Sequence, residues 1–185
     1  LFDHFQPQLL VGLTATPERM DGKDLRPDFC NRISAEIRLP QALQAGLLTP
    51  FQYLCISDDT DLSDDSLWSG QKYNIERLAD KLCAKTRARL IIDALHKYLA
   101  DEYTCRALCF CVNKRHADFM AEQLRLYGFN AQSLTSDTPA DERKQLAKDL
   151  REGTLHYLCV VDIFNEGVDI PEVDTVLFLR PTESL

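Results

Sequence analysis

Four polar clusters in this 185-residue chain hold side chains that can grip a ligand. They are Thr14-Ala15-Thr16-Pro17, Asn113-Lys114-Arg115, Thr135-Ser136-Asp137 and the run from Asp162 to Pro171. Asn113 and Lys114 stand where an apolar run gives way to a helical pattern. Free backbone N–H groups at such a helix start, joined by an ammonium, suit a phosphate. The same pair also fits a plain capping Asn beside a solvated Lys. Thr135 and Ser136 can donate hydroxyls to phosphates, and they are equally at home as turn residues. Thr14 and Thr16 fall on one side of an expected strand end, so both hydroxyls can point the same way; Thr16 also fits a turn cap ahead of Pro17. Gly167 allows a backbone geometry closed to other residues and so a close approach to a ligand. Asp169, two residues on, offers a carboxylate that can accept two hydroxyl hydrogen bonds. The plain alternative there is a Gly-Val-Asp-Ile-Pro turn between strands.

The elements that must position these clusters are legible in the apolar pattern. Leu9 to Thr14 is a short apolar run between Pro7 and Pro17, which predicts a buried strand. Met20 to Asn31 is polar and broken by Gly22 and Pro27, so it is expected to be irregular. Ile33 to Leu39 alternates and predicts a second strand; Pro40 to Ala45 fits a short helix closed by Gly46. A further strand is expected around Phe51, Tyr53 and Cys55. From Asn74 to Leu99 apolar residues recur at helical spacing, as one long helix or two in succession. Then strands at 107–112, 131–134, 155–161 and 175–179 alternate with helices at 114–127 and 139–150. Alternation of this kind predicts βαβ units, a mostly parallel sheet and an α/β fold of three layers with helices on both faces. In such sheets ligands bind beyond the carboxyl ends of the strands, and the four polar clusters fall at those ends.

Composition narrows the function classes. A content of 45% hydrophobic and 27% charged residues is that of an ordinary globular protein. No run of about 18 apolar residues is present, so no membrane partner is expected. The seven cysteines, at 30, 55, 83, 105, 109, 111 and 159, include no Cys-x-x-Cys pair. Cys109 and Cys111 share a face of one expected strand, but no second pair stands at zinc spacing; no metal site is expected, and a reduced, cytoplasmic protein is. A net charge of -8 opposes a grip on nucleic acid over the whole surface but leaves room for a local site. Residues Asp58 to Asp65 hold five acidic side chains and are expected to form a solvated loop.

Taken together the clusters resemble the motifs of superfamily-2 DEAD/DEAH-box helicases, in the branch related to the restriction-enzyme res subunit. Gly12 to Arg19 looks like motif III, and Ala107 to Asn113 with Lys114 resembles motif IV. Val161 to Val173 resembles motif V, followed by Leu179-Arg180-Pro181-Thr182-Glu183-Ser184 as in that branch. One departure is Val161, where many helicases place Thr or Ser, so the hydroxyl of that position is missing.

The resemblance implies a RecA-like helicase C-terminal domain over residues 49–185, preceded at 1–48 by the tail of a first RecA-like domain and a linker. Thr14 and Thr16 would couple hydrolysis to movement, and Gly167 and Asp169 would meet the nucleotide, Asp169 at its ribose. Asn113, Lys114, Thr135 and Ser136 would touch a nucleic-acid backbone. ATP and Mg2+ are the implied cofactors of the full-length parent. The implied partners are nucleic acid, with DNA favoured over RNA, and the remainder of the first RecA-like domain in cis. The opening Leu1-Phe2-Asp3-His4 reads as neither a signal peptide nor a translation start, so a chain beginning inside a larger protein is expected.

The 185 residues contain no Gly-x-x-x-x-Gly-Lys-Ser/Thr loop, no Asp-Glu-Ala-His-type box and no Gln-x-x-Gly-Arg-x-x-Arg segment. An arginine finger of the kind that last segment supplies is worth about 10³–10⁵ in rate in comparable phosphoryl transfers. The expectation is therefore one wall of an ATP cleft, active in the parent and inactive alone. Rival readings are a motor subunit piece of a restriction enzyme, a non-catalytic nucleic-acid-binding module, and a nucleotide-binding regulatory domain. The last would need a Gly-rich loop after the first strand, and Thr14 to Arg19 has none.

Overall fold

The computed structural model describes residues 4, 8–14, 24–70, 72–161 and 170–181. The chain divides into two compact units, one reaching Cys55 and the other starting at Ile56. The expected boundary at 48–49 lies in the exposed stretch ahead of that division.

In the first unit, Arg26–Phe29 form a single 3-10 turn, started by Pro27 and by Asp24, whose carboxylate accepts the Arg26 N–H at 2.9 Å. Helix α1 spans Leu39–Gln44, with Pro40 in its first turn and Gly46 at φ +68° just beyond it, as the sequence predicts. The three strands expected here are absent among the described residues. Leu9 to Thr14, Ile33 to Arg38 and Phe51 to Cys55 are irregular and exposed; Leu13 is 96% accessible and Tyr53 75%. Strand-forming side chains fit a pleated, half-buried surface, and here no described strand lies alongside to provide one.

The second unit opens with an arm, Ile56 to Tyr73, that ends in a small antiparallel hairpin of β1 (Trp68–Ser69) and β2 (Lys72–Tyr73). The acidic run in this arm stays solvated, as expected, with none of residues 58–65 buried, and it is also stitched down. Asp58, Asp61 and Asp64 each accept the N–H two residues on at 2.9 Å. Arg87 pairs with Asp58 at 2.7 Å, and Lys81 reaches Asp64 at 3.3 Å. The basic partners come from helices α2 (Ile75–Leu82) and α3 (Lys85–Tyr98), which realise the two-helix alternative for 74–99. Asn74 starts α2 by accepting the Arg77 N–H at 3.2 Å.

The sheet then follows in the order β4-β5-β3-β6, every pair parallel. Its strands are β3 (Ala107–Phe110), β4 (Ala131–Leu134), β5 (Tyr157–Val160) and β6 (Thr175–Phe178). Helix α4 (Lys114–Leu126) links β3 to β4, and α5 (Ala140–Glu152) links β4 to β5. Each helix is closed by a left-handed glycine, Gly128 at φ +89° and Gly153 at φ +74°, a conformation other residues adopt at a cost.

Strand burial follows position in the sheet. Every residue of central β5 is buried, and so are the first three of β3, as expected for strands covered on both faces. Ala107, Cys109, Ala131, Tyr157 and Cys159 pack under α3 and α4. Leu108, Leu134, Leu158 and Val160 pack under Leu146 and Leu150 of α5. The molecule is thus a three-layer α/β fold in this unit. Cys109, Cys111 and Cys159 are core residues; the neighbouring Cys159 thiol and burial push the Cys111 thiol well up. Among the described residues no group of three His, Cys, Asp or Glu is placed to hold a metal ion, and no helix is long and apolar enough to cross a membrane.

Candidate nucleic-acid interface

Strand β3 delivers the chain to Asn113, whose extended backbone (φ -149°, ψ 177°) turns it into α4. The Asn113 Oδ1 accepts the His116 N–H at 2.9 Å, so it is a helix cap. Its Nδ2 donates to Glu76 Oε1 at 3.1 Å, which ties α4 to α2. Lys114 reaches across to the loop after β4 and pairs with Asp137 at 2.6 Å. Arg115 pairs with Asp80 at 2.6 Å and donates to the Glu76 carbonyl at 3.2 Å. The hydrogen bond to Asp80 raises the Arg115 pKa further.

The loop after β4 is a compact turn. Thr135 N–H donates to Thr138 Oγ1 at 3.0 Å, and Thr135 Oγ1 accepts the Asp137 N–H at 3.3 Å. Arg143 from α5 donates to the Ser136 and Thr138 carbonyls at 2.8 and 2.7 Å. Thr135 is buried and its hydroxyl serves the turn, which is the plain alternative of the sequence reading. Ser136 instead faces an open cleft of about 730 Å³ that Asn113, Lys114, Arg115, Glu76 and Val161 also line.

Three of the four candidate backbone-contacting residues therefore converge on one cleft, beyond the carboxyl ends of β3, β4 and β5. Thr14 lies in the first unit, where it is exposed. A Cβ on Gly12 would come within 2.6 Å of the Phe29 ring, so the run leading to Thr14 passes close over that turn. Thr16, Gly167 and Asp169 lie outside the described residues.

The carboxylate partners Glu76 and Asp80 were not foreseen. Three of the cleft's donors are matched by carboxylates: Asn113 by Glu76, Lys114 by Asp137, Arg115 by Asp80. Glu76 and Asp80 are more than thirty positions away in sequence, so no local signal marks them. Beneath the cleft sits His116, fully buried, with Nδ1 accepting the Val112 N–H at 3.3 Å. That bond places the ring proton on Nε2, which has no hydrogen-bond partner among the described residues. Burial, with the charges of Arg87 and Arg115, lowers its pKa to about 4, so it is neutral at pH 7.

Comparison with known proteins accords with this architecture. Residues 88–185, just over half the chain, match the family described as helicase conserved C-terminal domain. A 51.5 kDa protein of a Lactococcus phage (isolate 7-9) is 27% identical over 175 residues, covering 95% of this chain and 37% of that protein. The putative ATP-dependent helicase IRC3 of Saccharomyces cerevisiae is 26% identical over 191 residues, covering 100% of this chain and 27% of that one. Among solved structures, the S. cerevisiae Dbp5 complex with RNA and ADP BeF3 gives a TM-score of 0.44 at 24% identity, over 55% of this chain and 25% of that one. The Pyrococcus furiosus Hef helicase domain gives 0.42 at 23%, over 56% and 20%. The chain thus spans about a third of the length of the curated relatives it matches.

Proposed function

The chain belongs to the helicase conserved C-terminal domain family, and from that premise we propose that it is one wall of the motor of an ATP-dependent nucleic-acid helicase or translocase. The observation that carries the reading is the convergence of Asn113, Lys114 and Ser136 on one cleft at the carboxyl edge of a parallel sheet. In this reading Lys114 exchanges Asp137 for a backbone phosphate, while the Asn113 amide and the Ser136 hydroxyl add neutral hydrogen bonds. DNA is the favoured strand. Thr14 and Thr16 belong to the coupling segment. The exposed Leu9, Val11 and Leu13 support a docking of that segment on the remainder of the first RecA-like domain.

ATP with Mg2+ is the cofactor proposed for the longer protein. Of the nucleotide-contacting set this chain contributes Gly167 and Asp169, the latter toward the ribose. The phosphate-cradling loop and the metal-holding acidic box must come from elsewhere, since neither pattern occurs in the 185 residues. By itself the chain neither hydrolyses ATP nor binds it tightly.

Phosphate release by the purified chain, with and without single-stranded DNA, tests this. Background release is expected, and stimulated release from a contaminant-free preparation overturns the inactivity. In the longer protein, Lys114→Ala is expected to raise the nucleic-acid KM of ATP hydrolysis and Asp169→Ala the KM for ATP. An unchanged nucleic-acid KM in the first variant removes the cleft from the reading.

A further inference from the structure

The hairpin at the end of the arm carries the single tryptophan of the chain. Trp68 pairs with Tyr73 across the two strands, and the rings stack with centroids 4.1 Å apart and planes at 29°. The stack is firmly seated. Leu67 is 1% exposed, and its carbonyl accepts the Asn74 N–H at 2.6 Å. Tyr73 packs against Leu78, Leu82 and Val112. Trp68 nonetheless stays 41% exposed. A cross-strand aromatic pair holds a hairpin together, but a clamp alone does not call for a large ring left open to solvent.

The position of the pair adds to this. Val112, a member of the cluster that Tyr73 packs against, lines the cleft, and so do Ile75 and Glu76 at the head of the helix that follows. The aromatic pair thus comes within two residues of the cleft lining, at Ile75. We propose that the Trp68–Tyr73 hairpin is a stacking platform for the bases of a single nucleic-acid strand whose phosphates follow the Asn113–Lys114–Ser136 cleft. The proposal rests on the nucleic-acid reading of that cleft.

Charge selects stacking over electrostatics as the source of affinity. Glu76 lines the cleft, and both Lys114 and Arg115 are already paired, with Asp137 and Asp80. Binding by counterion release needs a positive surface, and this cleft is not one. Base–aromatic stacking tolerates any base, so it suits a motor that passes over any sequence.

The test titrates the purified 185-residue chain with end-labelled (dT)12 at low salt. It follows tryptophan emission, which reports Trp68 alone, and oligonucleotide anisotropy together. Emission is expected to be quenched in step with the anisotropy rise. The logarithm of the affinity is expected to fall against log salt with a slope no steeper than about -1, the release from roughly one phosphate. Trp68→Leu is expected to weaken binding about tenfold, and Trp68→Phe, which keeps a stacking ring, by no more than about threefold. Binding with unchanged emission, and equal affinity for Trp68→Leu, overturns the platform and leaves the cleft reading standing. No binding by any variant overturns both. Quenching in the wild-type chain is informative even if Trp68→Leu fails to fold.

Discussion

Two stretches of this chain have much the same apolar character and opposite fates. Leu9-Leu10-Val11-Gly12-Leu13 is irregular and exposed, whereas Ala107-Leu108-Cys109-Phe110 is a strand whose first three residues are buried. The second lies between β5 and β6, with both of its backbone edges paired and helices over its faces. The first has no described strand beside it. A strand is a relation between segments, and apolar residues supply only one side of it. The difference teaches that apolar character alone does not make a core: the runs of the first unit stay exposed among the described residues, while those of the second are packed.

The largest effect that would sharpen this contrast is a pair of matched truncations. Leu158→Ala, at a fully buried site packed among Leu134 and Leu150, is expected to cost about 2–5 kcal/mol in urea unfolding. Leu13→Ala is expected to stay within about 0.5 kcal/mol. Similar losses at the two sites would erase the distinction between core and surface run.

Next is pH, through His116. A base whose folded pKa is lowered to about 4 gives stability that is fully present above the unfolded value of about 6.5. It is lost as pH falls between those values, because the unfolded chain takes up the proton first. Unfolding free energy is therefore expected to drop by on the order of 2–3 kcal/mol from pH 7 to pH 4 on this account. His116→Gln should flatten that part of the profile, and an equally steep variant would place the dependence in other groups.

A smaller loss is expected for Asn113→Ala, about 1 kcal/mol, because the α4 cap and the link to Glu76 go together. Amide exchange should report it as fraying of the first turn of α4. Smallest is Asp137→Asn, which removes the exposed partner of Lys114 and should change stability by no more than about 0.5 kcal/mol. If Lys114 is a phosphate ligand, the same change raises oligonucleotide affinity several-fold. An affinity that falls instead assigns Asp137 a supporting role in the turn.

The second unit was legible from residue 74 onward because its strands and helices are short, alternate, and end at Gly128 and Gly153. Asn113, Lys114 and Ser136 could be found from their place at strand ends. Thr135 belongs to the same cluster, yet its hydroxyl is spent on the Asp137 N–H within the turn. Whether a hydroxyl faces the cleft or its own loop depends on side-chain direction, which spacing does not encode. The acidic octet is a similar case: its composition reads as solvated, and its pinning depends on Lys81 and Arg87 arriving from helices that pack beneath it. The Asp58 carboxyl is pushed up by burial, but the Thr60 N–H and Arg87 hold it below its usual range.

From the sequence by itself came the family, the parallel sheet and the edge on which the polar clusters gather, because these depend on periodicity and on the identity of residues at strand ends. Tertiary structure alone decided which apolar runs became strands, which carboxylates meet Asn113, Lys114 and Arg115, and that Trp68 stacks on Tyr73. Those outcomes depend on contacts between distant segments, and the energy of a ladder, an ion pair or a ring stack exists only when both members are in place.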